Sequence, residues 1–123
     1  MRILLAGISI ALLAASSGAS AAPAAPAALA PKDIQTTFFN GQAFTSSTPQ
    51  NIKFKMVFSA DGRMSREPIG KAGVKDQGTW KLSKDGYCST WKGSKQNCYR
   101  VVSSGDNKWS VMKGTSAVAT WTK

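Results

Sequence analysis

The chain has 123 residues, 42% hydrophobic and 18% charged, with 16 Lys and Arg against 6 Asp and Glu and no His. That length suits one small domain and excludes a second. The missing His removes the usual neutral-pH base and the commonest metal ligand, and the net charge of +10 points to acidic partners or to plain solubility.

Met1 to Ala21 read as a secretory signal: Arg2 is a short positive n-region, Ile3 to Leu13 an apolar h-region, and Ala19-Ser20-Ala21 a small-residue cleavage site, with cleavage expected after Ala21. The apolar run is shorter than the roughly 20 residues of a spanning helix. No Cys lies near the cleavage site to carry a lipid. Ala22 to Pro31 is Ala and Pro apart from Leu29 and reads as a semi-extended tether without hydrogen-bonded structure of its own. A single β-domain is then expected over Lys32 to Lys123. Without Arg2 it holds 15 cations against 6 acids, 15 − 6 = +9.

Lys32 to Gly41 predicts a short helix with Ile34 and Phe38 on one face, Asp33 at the positive end of the dipole and Gly41 as the C-terminal cap. Phe44 to Thr48 predicts a first, edge strand ended by Pro49. Ile52, Phe54, Met56 and Phe58 alternate with Lys53, Lys55, Val57 and Ser59, the pattern of a half-buried antiparallel strand. Asp61-Gly62 turns the chain into a polar strand at Arg63 to Arg66, and Pro68 to Gly73 is a loop. Val74 to Ser83 is the next strand, turned by Lys84-Asp85-Gly86 into a cysteine hairpin of Tyr87 to Trp91 and Asn97 to Ser103. Gly105-Asp106-Asn107 leads into Lys108 to Met112, and Gly114 into Thr115 to Thr122, with Ala117, Ala119 and Trp121 on one face and Val118 on the other. Turns recur about every ten residues with no crossover helix. This spacing predicts a mainly β domain, a meander of about 7 to 8 antiparallel strands forming a small barrel or bent sheet.

Cys88 and Cys98 are the only cysteines, and export would place them in an oxidising compartment. A hairpin turning about Gly93 sets them directly opposite, so a structural disulfide is expected, contributing about 2.5 to 3 kcal/mol in the chain-entropy account. A redox pair or metal site is the alternative, but nine intervening residues do not match CxxC and no His completes a zinc site.

Trp80, Trp91, Trp109 and Trp121 fall on successive strands and read mainly as core. The functional alternative is an aromatic platform among Lys53, Lys55, Lys81, Lys92, Lys95 and Arg100, the pairing used on anionic or sugar polymers. Trp91, beside Lys92 and Lys95 at the hairpin tip, is expected to be the most exposed tryptophan. The candidate binding surface is therefore Trp91, Lys92, Lys95, Arg100, Lys53 and Lys55.

Catalysis has little support. Asp61, Asp85 and Asp106 sit in turn signals, and Asp33, Glu67 and Asp76 form no paired-carboxylate spacing. The serines lack a nucleophile elbow, and the glycines are scattered one per turn rather than gathered in a phosphate loop. No catalytic residue, cofactor or metal is expected.

The order Gly41, Phe58-x-x-Asp61-Gly62, Gly78-Thr79-Trp80, Gly86-Tyr87-Cys88-x-x-Trp91 and Cys98-Tyr99 resembles small exported bacterial proteins grouped as a domain of unknown function. That resemblance covers Lys32 to Lys123 and implies export and a small antiparallel barrel, with no activity to transfer. The Gly-Thr-Trp opening and single disulfide are also loosely similar to bacterial periplasmic inhibitors of metalloproteases with a lipocalin-like barrel, from which this chain departs in closing one tight hairpin with its cysteines. The reading is thus a monomeric, periplasmic or secreted, non-enzymatic binding module. Its expected partner is acidic: an envelope polymer, an anionic surface or a protein. A protease inhibitor is the alternative, and a hydrolase with an unrecognised site comes third.

Overall fold

The computed structural model describes residues 27–123; the expected signal sequence and the first part of the tether lie outside them. Eight antiparallel strands in sequence order close into a barrel: β1 (Ala43–Ser47), β2 (Lys53–Phe58), β3 (Arg63–Pro68), β4 (Asp76–Leu82), β5 (Tyr87–Trp91), β6 (Asn97–Gly105), β7 (Lys108–Lys113) and β8 (Ser116–Thr122). Closure is made by β1 on β8, with Thr45 opposite Thr122 and Ser47 opposite Thr120. The first strand therefore has no free edge, unlike the edge strand expected from sequence. Closure satisfies backbone groups that an open sheet would leave bare.

Helix α1 spans Pro31–Phe38. Pro31 takes a first-turn position where a missing N–H costs nothing, and Asp33 sits at the positive end of the dipole. The C-terminus differs from expectation. Phe39 is the cap residue, donating to the Gln35 carbonyl, and the Asn40 amide donates to the Thr36 carbonyl at 2.9 Å. Gly41, with φ +85°, instead turns the chain into β1, and its N–H donates to the Phe58 carbonyl at 2.8 Å.

The helix plugs one end of the barrel. Ile34, Phe38 and Phe39 are wholly buried, and a short bend at 39–42 joins α1 to β1. Phe38 meets Phe44, Trp109 and Trp121 edge-on at centroid distances of 4.8 to 5.0 Å, while Phe39 stacks on Phe58 at 4.6 Å and packs on Trp80 and Tyr87. The Trp80 indole N–H, which would otherwise be stranded in this core, donates to the Ser59 carbonyl at 2.9 Å. Lys123, just past β8, donates to the Thr37 carbonyl.

The folded part also reaches further back than expected. Strand β6 has nine residues and β5 only five, and their pairing ends at Tyr87 opposite Tyr99, so the later part of β6 lacks a partner on that side. Ala28 bridges to Val102 there, and the Leu29 N–H donates to the Val101 carbonyl at 2.8 Å. The end of the Ala/Pro segment is thus hydrogen-bonded to the barrel, because an unpaired edge offers a backbone partner that composition does not reveal.

The hairpin pairing places Cys88 opposite Cys98 with Cα atoms 3.9 Å apart, and the two form the disulfide. Gly78 of the Gly-Thr-Trp motif has a steric reason: a Cβ there would run into the Thr90 carbonyl and the Met64 side chain. Strand β3 is longer than its polar appearance suggests and points Met64 and Arg66 inward opposite Gly78 and Asp76. In β8 a register shift opposite Val111 and Met112 changes the alternation. Val118, expected on the face opposite Ala119, therefore packs against the core beside it.

Candidate binding site

The strand order leaves the two ends of the barrel unlike. The plugged end receives α1 and the turns at 59–62, 83–86 and 106–107. The other end carries the connections at 48–52, 69–75, 92–96 and 114–115 and no helix. Inside this open end lies a cavity of about 160 Å³, lined by Ser46, Phe54, Arg66, Tyr87, Ser89, Trp91, Tyr99 and Trp121 among others. Ser46 and Ser89, the buried polar residues of the described chain, both face it. Tyr87 and Trp121 form the boundary between the cavity and the aromatic plug, with ring centroids 5.5 Å apart.

Arg66 is the centre of this arrangement. Its inward phase follows from Met64 two residues earlier, since side chains alternate along a strand. The guanidinium lies 4.3 Å from the Trp91 ring centroid and 5.0 Å from that of Phe54, so two aromatic faces hold its plane. Asp76 approaches one end at 3.5 Å. The Nε is sealed from solvent and has no hydrogen-bond acceptor among the described residues. Burial raises the pKa of Tyr99, an effect the Arg66 charge opposes. Burial, and secondarily the neighbouring Tyr99, hold the Tyr87 phenol well above its usual 10.0.

The charges divide unevenly between the ends. Lys53, Lys71, Lys75, Lys92, Lys95 and Lys113 stand at the open end against Asp76, six minus one, or +5. Lys32, Arg63, Lys81, Lys84, Lys108 and Lys123 stand at the plugged end against Asp33, Asp61, Asp85 and Asp106, six minus four, or +2. Lys55 and Glu67, opposite each other, lie midway with Arg66 and Arg100. The open rim also carries the exposed large apolar residues of the described chain, Ile69 at 51% and Val74 at 75% exposure, both in the 69–75 connection.

The sequence-derived surface is thus partly assembled and partly dispersed. Lys53, Lys92 and Lys95 are exposed at the open rim. Trp91 is half-buried, its ring under Arg66. Lys55 is exposed on the barrel wall, and Arg100 lies on the wall with its guanidinium donating to the Gly114 carbonyl at 3.0 Å. Arg66, Asp76, Tyr99, Ile69 and Val74 join this end without belonging to the surface expected from sequence. For Arg66 the signal was available in the Met64-x-Arg66 alternation, masked by the polarity of its neighbours.

Among the described residues no group of three or more His, Cys, Asp or Glu is placed to hold a metal, and no helix is long and apolar enough to cross a membrane. Comparison with protein-family models, with curated proteins and with solved structures finds no match. The site is therefore read from its own geometry.

Proposed function

We infer that the chain is an exported, non-enzymatic binding module that meets an acidic partner with the open rim of its barrel. The observation that carries this reading is the charge division, +5 at the open rim against +2 at the plugged end. A one-sided field steers and orients an anionic partner, whereas charge serving solubility alone has no reason to collect at one end. The disulfide fits an oxidising compartment, periplasmic or extracellular. The test is retention on immobilised heparin, a generic polyanion, as salt is raised. Retention should fall steeply with salt, and Lys92→Glu with Lys95→Glu should weaken it several-fold more than Lys84→Glu with Lys108→Glu at the plugged end. Equal losses from the two pairs would reject the rim.

A second reading, a protease inhibitor, draws on the closed eight-stranded up-and-down barrel, which suits the loose lipocalin-like resemblance of the sequence. Fold alone is a weak guide to activity. Inhibition of a metalloprotease panel by the full chain and not by a chain lacking residues 22–27 would favour it.

A further inference from the structure

We propose that the cavity inside the open end is a small-molecule site for a monocarboxylate with a flat apolar body about the size of benzoate, its carboxylate received by Arg66. This does not rest on the rim reading, since the groups involved lie within the barrel.

Size sets the first limit. A cavity of about 160 Å³ is close to the roughly 150 Å³ that accommodates benzene and well below the range of drug-sized sites. Chemistry sets the second. The Arg66 side chain lines the cavity and is 30% exposed, so the guanidinium keeps reachable N–H donors for an acceptor entering there, while its Nε stays sealed behind the rings. A carboxylate oxygen is the acceptor that a guanidinium fork matches best. Asp76 only approaches the other end of the fork, at 3.5 Å. The Trp91 and Phe54 rings on Arg66 hold the fork in place, which reduces the ordering a ligand must impose. The Ser46 and Ser89 hydroxyls offer further donors, and Tyr87 and Trp121 offer aromatic surface to a flat body.

The experiment titrates the purified protein with sodium benzoate and with neutral benzamide, following amide, indole and Arg Nε–H signals by NMR. Benzoate should produce saturable shifts at Ser46, Ser89, the Trp91 indole and the Arg66 Nε–H, with benzamide at least about tenfold weaker, as expected for the loss of a charge-assisted hydrogen bond. Arg66→Gln should weaken benzoate by about tenfold or more. Should that variant not fold, the benzoate-to-benzamide ratio and the shift map in the unaltered protein decide. The rim pair Lys92→Glu with Lys95→Glu should leave benzoate affinity within about twofold, because exposed charges act weakly through solvent. Equal binding of benzamide, shifts confined to rim lysines, loss of benzoate binding in the rim variant, or no saturation would overturn the assignment.

Discussion

The two ends of the barrel are built from different materials. At the plugged end α1 inserts Ile34, Phe38 and Phe39 among Phe44, Phe58, Trp80 and Trp121, and the indole and backbone donors there find carbonyl partners. At the open end a cationic side chain lies between aromatic rings with an unmet donor, beside serines and a cavity. On the proposed reading, the contrast teaches that stability and recognition are separated along the barrel axis. A small domain has one core to supply most of its stability, and here it is concentrated where the helix closes the barrel. The opposite mouth is left with polar groups that a purely structural core would avoid.

That division predicts a gradient of mutational cost. Phe38→Ala should be the most damaging, removing a wholly buried ring from the plug at about 3 to 5 kcal/mol by denaturant unfolding. A cost below about 1 kcal/mol would mean that the helix is not the keystone of the fold. Next comes the Cys88–Cys98 bridge. Replacing both cysteines with Ser should cost about 2.5 to 3 kcal/mol and leave the open-end cavity intact, checked by unfolding with and without reductant.

The boundary between the two ends should reveal itself in alkali. The Tyr87 phenol is held well above 10.0 by burial, so the unfolded chain loses this proton first as pH rises. The unfolded state then binds fewer protons than the native state, and stability falls with pH. Stability should be intact below about pH 10 and decline above it through the ordinary tyrosine range. Tyr87→Phe should flatten that decline, and an unchanged alkaline slope would place the titration elsewhere.

The smallest expected effect on folding is at the open mouth. Arg66→Met keeps a long apolar stem between Phe54 and Trp91 and gives up a partly exposed ion pair. Its unfolding free energy should shift by less than about 1 kcal/mol, measured by thermal and denaturant melts. A loss approaching that of Phe38→Ala would make Arg66 a structural residue and erase the contrast between the ends.

The plugged end was far more legible in the sequence than the open one. The alternation along β2 that ends on Phe58, the Ile34 and Phe38 spacing, and Asp-Gly turns are short-range signals, each placing an apolar residue or a turn by local geometry. The cysteine hairpin belongs to the same class, because its two strands are joined by one loop. What local pattern does not contain is closure. The meeting of β1 and β8 depends on accumulated twist and stagger around the barrel and not on any residue near Thr45 or Thr122. Val118 packs inward beside Ala119 because a register shift breaks the two-residue period of the strand. The helix ends on Phe39 with the Asn40 amide on the Thr36 carbonyl, a side-chain bond that the neighbouring Gly41, the usual stop residue, masks in the sequence. Arg66 was hidden differently. Its inward phase was readable, but an inward arginine makes sense only once Phe54, Trp91 and Asp76 are seen around it.

The central claim, that the open end receives the acidic partner, is tested most directly by backbone NMR during titration with a short heparin oligosaccharide at low salt. Shifts concentrated in the 69–75, 92–96 and 114–115 connections and at Lys53, and reversed by added salt, are the predicted result. Shifts centred on α1 and the turns at 59–62, 83–86 and 106–107, or spread evenly over both ends, would contradict it.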